Sequence, residues 1–118
     1  MNNLLDEIKI TYADCQNDGL SFQQTKHIRR LDWKASEYAE GDMIRKALNA
    51  IGEGYNAFEP NEVSDIILKV DSDAKVYVAR EGSVCLYIKT SKSTEMIEAL
   101  DADECDLQQD GLIRAWWD

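Results

Sequence analysis

The sequence predicts an α+β fold: N-terminal helices, then a three-strand antiparallel meander, a short helix and a C-terminal hairpin, forming one domain over residues 1–118. Three observations carry this expectation. Apolar residues in the first half recur at helical spacing, the stretch 65–89 consists of β-branched and aromatic runs, and Asp110-Gly111 separates two further short runs. A length of 118 residues suits one domain, and no Pro-rich or Gly/Ser-rich linker divides the chain. The sole proline, Pro60, falls between the helical and the strand halves.

From Asn3 to Cys15, Leu5, Ile8, Tyr12 and Cys15 share a helical face, although Ile8, Ile10 and Tyr12 also alternate as in a strand. The flanks favour the helix. Asn3 can cap it, Asp6 and Glu7 sit in the electropositive first turn, and Gly19 can stop it. Ser21 and Gln24 form a capping-box pattern before a second helix carrying Ile28, Leu31, Ala35 and Tyr38 on one face. Gly41 breaks that helix. Asp42 can then cap a third, "MIRKALNAI", which Gly52 ends.

The period changes in the second half. "DIILKV", "KVYVAR" and "SVCLYIK" read as the three strands of the meander. With Glu81-Gly82 as a two-residue loop, Val76, Val78, Cys85 and Tyr87 share one face, and Tyr77, Ala79, Val84, Leu86 and Ile88 the other. Both faces are apolar, so both require cover. Helices can supply one layer; the C-terminal segment or a second copy, making a homodimer, can supply the other. Ser93 can cap a short helix, "TEMIEAL", that buries Met96, Ile97 and Leu100. Acids at 101, 103 and 104 would oppose the helix dipole, which ends the helix near Leu100. "ECDLQQ-DG-LIRAWW" completes the chain as a hairpin.

Composition excludes several classes. With 44% hydrophobic and 31% charged residues, the chain is expected to fold as a globular protein. No apolar run approaches the roughly 20 residues that span a bilayer. "MNNLLDEIKI" carries acids where a secretion signal is basic, so a cytoplasmic location without membrane attachment is expected. Cys15, Cys85 and Cys105 are odd in number and lack CxxC spacing, and read as small apolar residues. The net charge of -10 is concentrated at the end, where residues 94–118 hold eight acids against Arg114 alone. Residues 21–50 carry six bases and four acids, a basic belt.

Few motifs carry chemistry. The frame Asp-x-Gln-x-Asp-Gly-Leu occurs twice, from Asp14 and from Asp106, and opens like a calcium loop. The position that must supply a bidentate carboxylate holds Thr25 in one copy and Trp117 in the other, so no calcium site follows. "GEGYNA" over 52–57 matches a dinucleotide fingerprint, but it ends a helix rather than following a strand. The lone His27 lies in "TKHIRR" with no acid or cysteine at helical spacing, so neither catalysis nor zinc binding is indicated. No cofactor, metal or catalytic residue is assigned.

Two surfaces remain. The first joins Asp101, Asp103, Glu104, Asp106 and Asp110 with Trp117. A two-residue hairpin loop sets Trp117, Ile113 and Ala115 opposite Gln108, Asp106 and Glu104, while Trp116 joins Leu107, Cys105 and Leu112 in the core. A large aromatic ringed by acids fits a protein partner with a basic surface. The second is the basic face of Lys26, Arg29, Arg30 and Lys34, which with the meander as a wing would make a winged-helix DNA-binding regulator. The following helix carries Glu37, Glu40 and Asp42 nearby, a poor surface for DNA, so nucleic acid is disfavoured. The preferred expectation is a non-enzymatic, acidic protein-interaction module of inhibitor or immunity type. Small acidic anti-defence proteins and DNA mimics of bacteria and phages offer an analogy of size and charge, with no shared motif.

Overall fold

The computed structural model describes residues 4–6, 8, 9, 12, 37–53, 55–80 and 83–117. Five strands form one antiparallel sheet: β1 (Tyr38–Glu40), β2 (Lys75–Arg80), β3 (Val84–Lys89), β4 (Glu104–Gln109) and β5 (Leu112–Trp117), in the order β1-β2-β3-β5-β4. Among the described residues it is accompanied by the helices α1 (Asp42–Ile51), α2 (Pro60–Val70) and α3 (Ser93–Ala99). Residues 4–6, 8, 9 and 12 are helical, as the N-terminal caps predict. The fold is α+β.

Helix α1 follows the predicted boundaries. Ile44, Ala47, Leu48 and Ile51 recur at spacings of three and four residues and are buried. Gly41 occupies the N-cap and Asp42 begins the first turn, where its charge faces the positive end of the dipole rather than capping through its side chain. Gly52 ends the helix at φ 91°, which a β-carbon would disfavour. The "GEGYNA" stretch is thus a helix exit, followed by a turn in which Tyr55 bridges Phe58.

Two expectations about strands are corrected. "DIILKV" belongs to α2, not to a strand. Its helical signal lies upstream: the Glu59 carboxylate accepts from the Glu62 amide at 2.6 Å, and Pro60 fills the first helical position, where no amide is needed. Val63, Ser64 and Ile67 then form the buried face. The place beside β2 is taken by Tyr38–Glu40, so Tyr38 lies in a strand rather than at a helix end. The remainder of the expected second helix lies outside the described residues.

The β2–β3 register is also shifted by one. Arg80 pairs with Val84, so residues 81–83 separate the strands instead of two. Because side chains alternate, this slip exchanges faces on one strand relative to the other. Val76, Val78, Val84, Leu86 and Ile88 therefore face the same way. With Ile44, Leu48, Ile67, Met96, Ile113 and Trp117 they form the main core, to which Leu4, Ile8 and Tyr12 contribute. The Tyr12 hydroxyl donates to the Ala79 carbonyl at 2.5 Å, tying the N-terminal helical residues to β2.

On the opposite face, Ala79, Cys85, Tyr87 and Leu112 make a small second cluster, with Tyr77 and Trp116 packed partly against it. Those four are buried within a single chain. Tyr77 and Trp116 on the same face are only partly buried.

Candidate functional site

The C-terminal hairpin forms as predicted, with Asp110-Gly111 at its turn and Gly111 at φ 77°. Its register contains one further feature. Gln109 pairs with Leu112 but Leu107 pairs with Ile113, leaving Gln108 as an extra residue in β4. This bulge reverses the facing of every β4 residue before it. Cys105 and Leu107 lie beside Ala115 and Ile113 on the core side, whereas Glu104 and Asp106 lie beside Trp116 and Arg114 on the other.

The two tryptophans exchange their expected roles for the same reason. Trp117 is fully buried. Its ring meets Phe58 edge-on at 5.1 Å, and its Nε1 donates to the Asp101 carbonyl at 3.2 Å. It is a core residue that pins the loop after α3, and it offers nothing to a partner in this structure. Trp116 is half-buried over the second cluster, paired across the sheet with Cys85. The apolar side chain the hairpin presents to solvent is Leu107, 53% exposed, ahead of Tyr38 and Met43 at just over 40%.

The acids divide among four places. Glu104 and Asp106 flank Arg114, whose Nη1 lies 3.4 Å from Glu104 Oε1 and 3.9 Å from Asp106 Oδ2. Both carboxylates remain more than half exposed, so these pairs contribute little stability, about 0–1 kcal/mol each. Asp103 accepts from Asn56 Nδ2 at 2.9 Å, on the turn between α1 and α2. Asp101 is exposed beyond α3, and Asp110 is exposed at the hairpin tip. Among the described residues, no three His, Cys, Asp or Glu side chains are grouped to hold a metal ion.

Among the described residues, neither cysteine carries a nucleophile signal. Burial, aided by the Asp106 charge, pushes the Cys105 thiol up to about 11, which keeps it protonated at neutral pH. Cys85 is buried. Cys15, His27 and the basic residues Lys26, Arg29, Arg30 and Lys34 lie outside the described residues. Of the bases on α1, Arg45 is bonded to Asp65 of α2 and to the Asn61 carbonyl.

An open groove of about 390 Å³ runs between the start of α3 and the hairpin, lined by Thr90, Lys92, Glu95, Leu107, Asp110 and Gly111 among others. A polar node fixes its floor. The Thr90 amide donates to the Gly111 carbonyl at 2.9 Å, and its hydroxyl donates to Asp71 Oδ2 at 2.6 Å. The Thr90 hydroxyl oxygen in turn accepts from the Lys92 amide at 3.0 Å. The Thr90 hydroxyl bond holds the Asp71 carboxyl below its ordinary range against some desolvation, with help from the Asp73 amide and the Lys92 charge. One threonine thereby locks together the α2–β2 turn, the entry to α3 and the hairpin tip.

Leu107 and the Asp71–Thr90 node were not foreseen. Leu107 sits in a polar run, "DLQQD", but a two-residue hairpin without a bulge assigned it to the core. The node links residues 19 positions apart and has no local signature. Comparison with family models, with curated proteins and with solved structures finds no match to this chain.

Proposed function

We propose that this chain is a non-catalytic, acidic protein-binding module of inhibitor or immunity type, which engages a basic surface on its partner through the exposed side of the β4–β5 hairpin. The observation that carries the reading is Leu107. It is the most exposed large apolar side chain among the described residues, and it stands on a strand whose other exposed residues include Glu104 and Asp106. Leu107 and the two acids project from opposite sides of β4, so one strand offers an apolar contact and a charged one, the pairing by which interfaces combine affinity with orientation. Asp101 and Asp110 flank the strand and extend the acidic field at its two ends.

The layout of the acids supports a discrete docking site over imitation of a phosphate row. Glu104 and Asp106 share Arg114, Asp103 is bonded to Asn56, and Asp110 stands at the opposite end of β4. The reading is tested by capturing partners from the host lysate with tagged wild type and with two variants, Leu107→Ser and the double change Glu104→Lys, Asp106→Lys. A partner retained by wild type and lost from both variants, more so as salt rises, supports it. A partner held equally by all three forms overturns the assignment to this surface.

A further inference from the structure

Among the described residues β4 is an edge of the sheet, with no strand on its outer side. Of its six residues only Cys105 is as much as half-buried, while Glu104, Asp106, Leu107, Gln108 and Gln109 are exposed. A strand paired on one side alone leaves alternate backbone N–H and C=O groups directed outward. The opposite edge, β1, has three residues and offers far less.

Charge and the bulge are common defences against uncontrolled pairing at such an edge. Here they are selective rather than prohibitive. A second copy would bring Glu104 and Asp106 against the same acids in a molecule of net charge -10, which is repulsive. A cationic strand meets the reverse situation. One guanidinium, Arg114, lies within 4 Å of both Glu104 and Asp106, and both carboxylates stay more than half exposed to a further cation. On the other face Leu107 forms a wall of the groove beside α3, with Glu95 and Asp110 at its margin. Lys92 also lines the groove, but its charge acts on Asp71.

We propose that β4 is a strand-accepting edge, which binds an extended, lysine- or arginine-bearing segment of a partner protein as a sixth strand. Backbone hydrogen bonds to β4 supply the affinity common to strand addition, and side chains select the sequence. Cations at alternate positions lie beside Glu104 and Asp106. The intervening side chains lie against Leu107, at the edge of a groove of about 390 Å³ whose other walls are mostly polar. This rests on the proposed function and specifies how that surface works.

The test uses the full chain, labelled with ¹⁵N, and the probe peptide acetyl-Lys-Val-Lys-Val-Lys-Val-Lys-amide. Two controls accompany it: the same peptide N-methylated throughout, which keeps its charge but cannot donate, and the peptide with Glu in place of Lys. The expected result is binding by the first peptide alone. Amide exchange should slow about tenfold at alternate β4 residues, those not bonded to β5, and N-methylation should weaken binding at least about tenfold. Equal binding of the methylated peptide, with shifts centred on Glu104 and Asp106, overturns strand addition while leaving the acidic docking surface standing. Absence of binding by the lysine peptide, or binding by the glutamate peptide, also overturns strand addition. The capture experiment with the Leu107 and Glu104/Asp106 variants then judges the wider reading separately.

Discussion

Replacing Trp117 tests the assignment that most changes the functional picture. Its side chain is fully buried, and a tryptophan buries about 150–250 Å². At about 25 cal/mol per Å² that is about 4–6 kcal/mol, close to the roughly 3–5 kcal/mol found when buried aromatics are cut to alanine. The lost bond to the Asp101 carbonyl adds little, because Asp101 is exposed and water can replace the donor. A domain of this length has about 6–18 kcal/mol of total stability, so Trp117→Ala removes a large share. Trp117→Phe keeps most of the ring against Phe58 and is expected to cost about 1–3 kcal/mol. Urea unfolding followed by far-ultraviolet circular dichroism measures both without depending on tryptophan emission. An exposed anchor would behave otherwise, with stability changes within about 0.5 kcal/mol. Losses below about 1 kcal/mol for both variants would refute the burial of this residue.

The remaining expectations follow from the same geometry. Leu107→Ser should leave unfolding within about 0.5 kcal/mol of wild type and weaken the partner complex by about 1 kcal/mol or more, measured by calorimetry on the captured partner. Thr90→Val removes the hydroxyl that bonds Asp71 and receives the Lys92 amide, and should cost about 1–2 kcal/mol in urea unfolding at neutral pH. Because the folded Asp71 carboxyl lies below its ordinary value of 3.8, its contribution is present above that pH and lost as pH falls through the lower folded value. The difference between wild type and Thr90→Val should therefore narrow in strong acid; a constant difference across pH would count against the charged bond. Gly111→Ala should cost about 1 kcal/mol through its left-handed backbone alone, since the new Cβ would stand 3.6 Å from the Thr90 carbonyl, an ordinary contact. A cost of several kcal/mol in thermal unfolding would show that the hairpin tip has no room to adjust.

Turn chemistry and helix punctuation were legible in the sequence because they are local. Asp110-Gly111 closes a hairpin wherever short alternating runs flank it, and Gly52 ends α1 because its φ of 91° suits glycine. The ends of α3 follow from Met96 and Leu100 on one side and the acids after Leu100 on the other. "DIILKV" was ambiguous, since three consecutive apolar residues, Ile66, Ile67 and Leu68, satisfy either period. The deciding cue was the Glu59–Pro60 start, six residues upstream, together with a sheet face that needed covering.

The candidate site depended on two single-residue choices that local pattern could not make. The third residue between β2 and β3, and the extra Gln108 in β4, each move side chains from one face to the other. β2 and β3 carry apolar residues on both faces, so alternation alone accepts either register there. Only packing selects between them. With the observed register Val76, Val78, Leu86 and Ile88 meet the helices together, and Trp117 fills the space beside Phe58. The sequence by itself determined an α+β chain ending in an acidic hairpin; the tertiary structure decided which tryptophan is core, which acids share Arg114, and that Leu107 faces solvent. The physical reason is that a period of two fixes alternation but not its phase, and phase is set by what the opposite layer can bury.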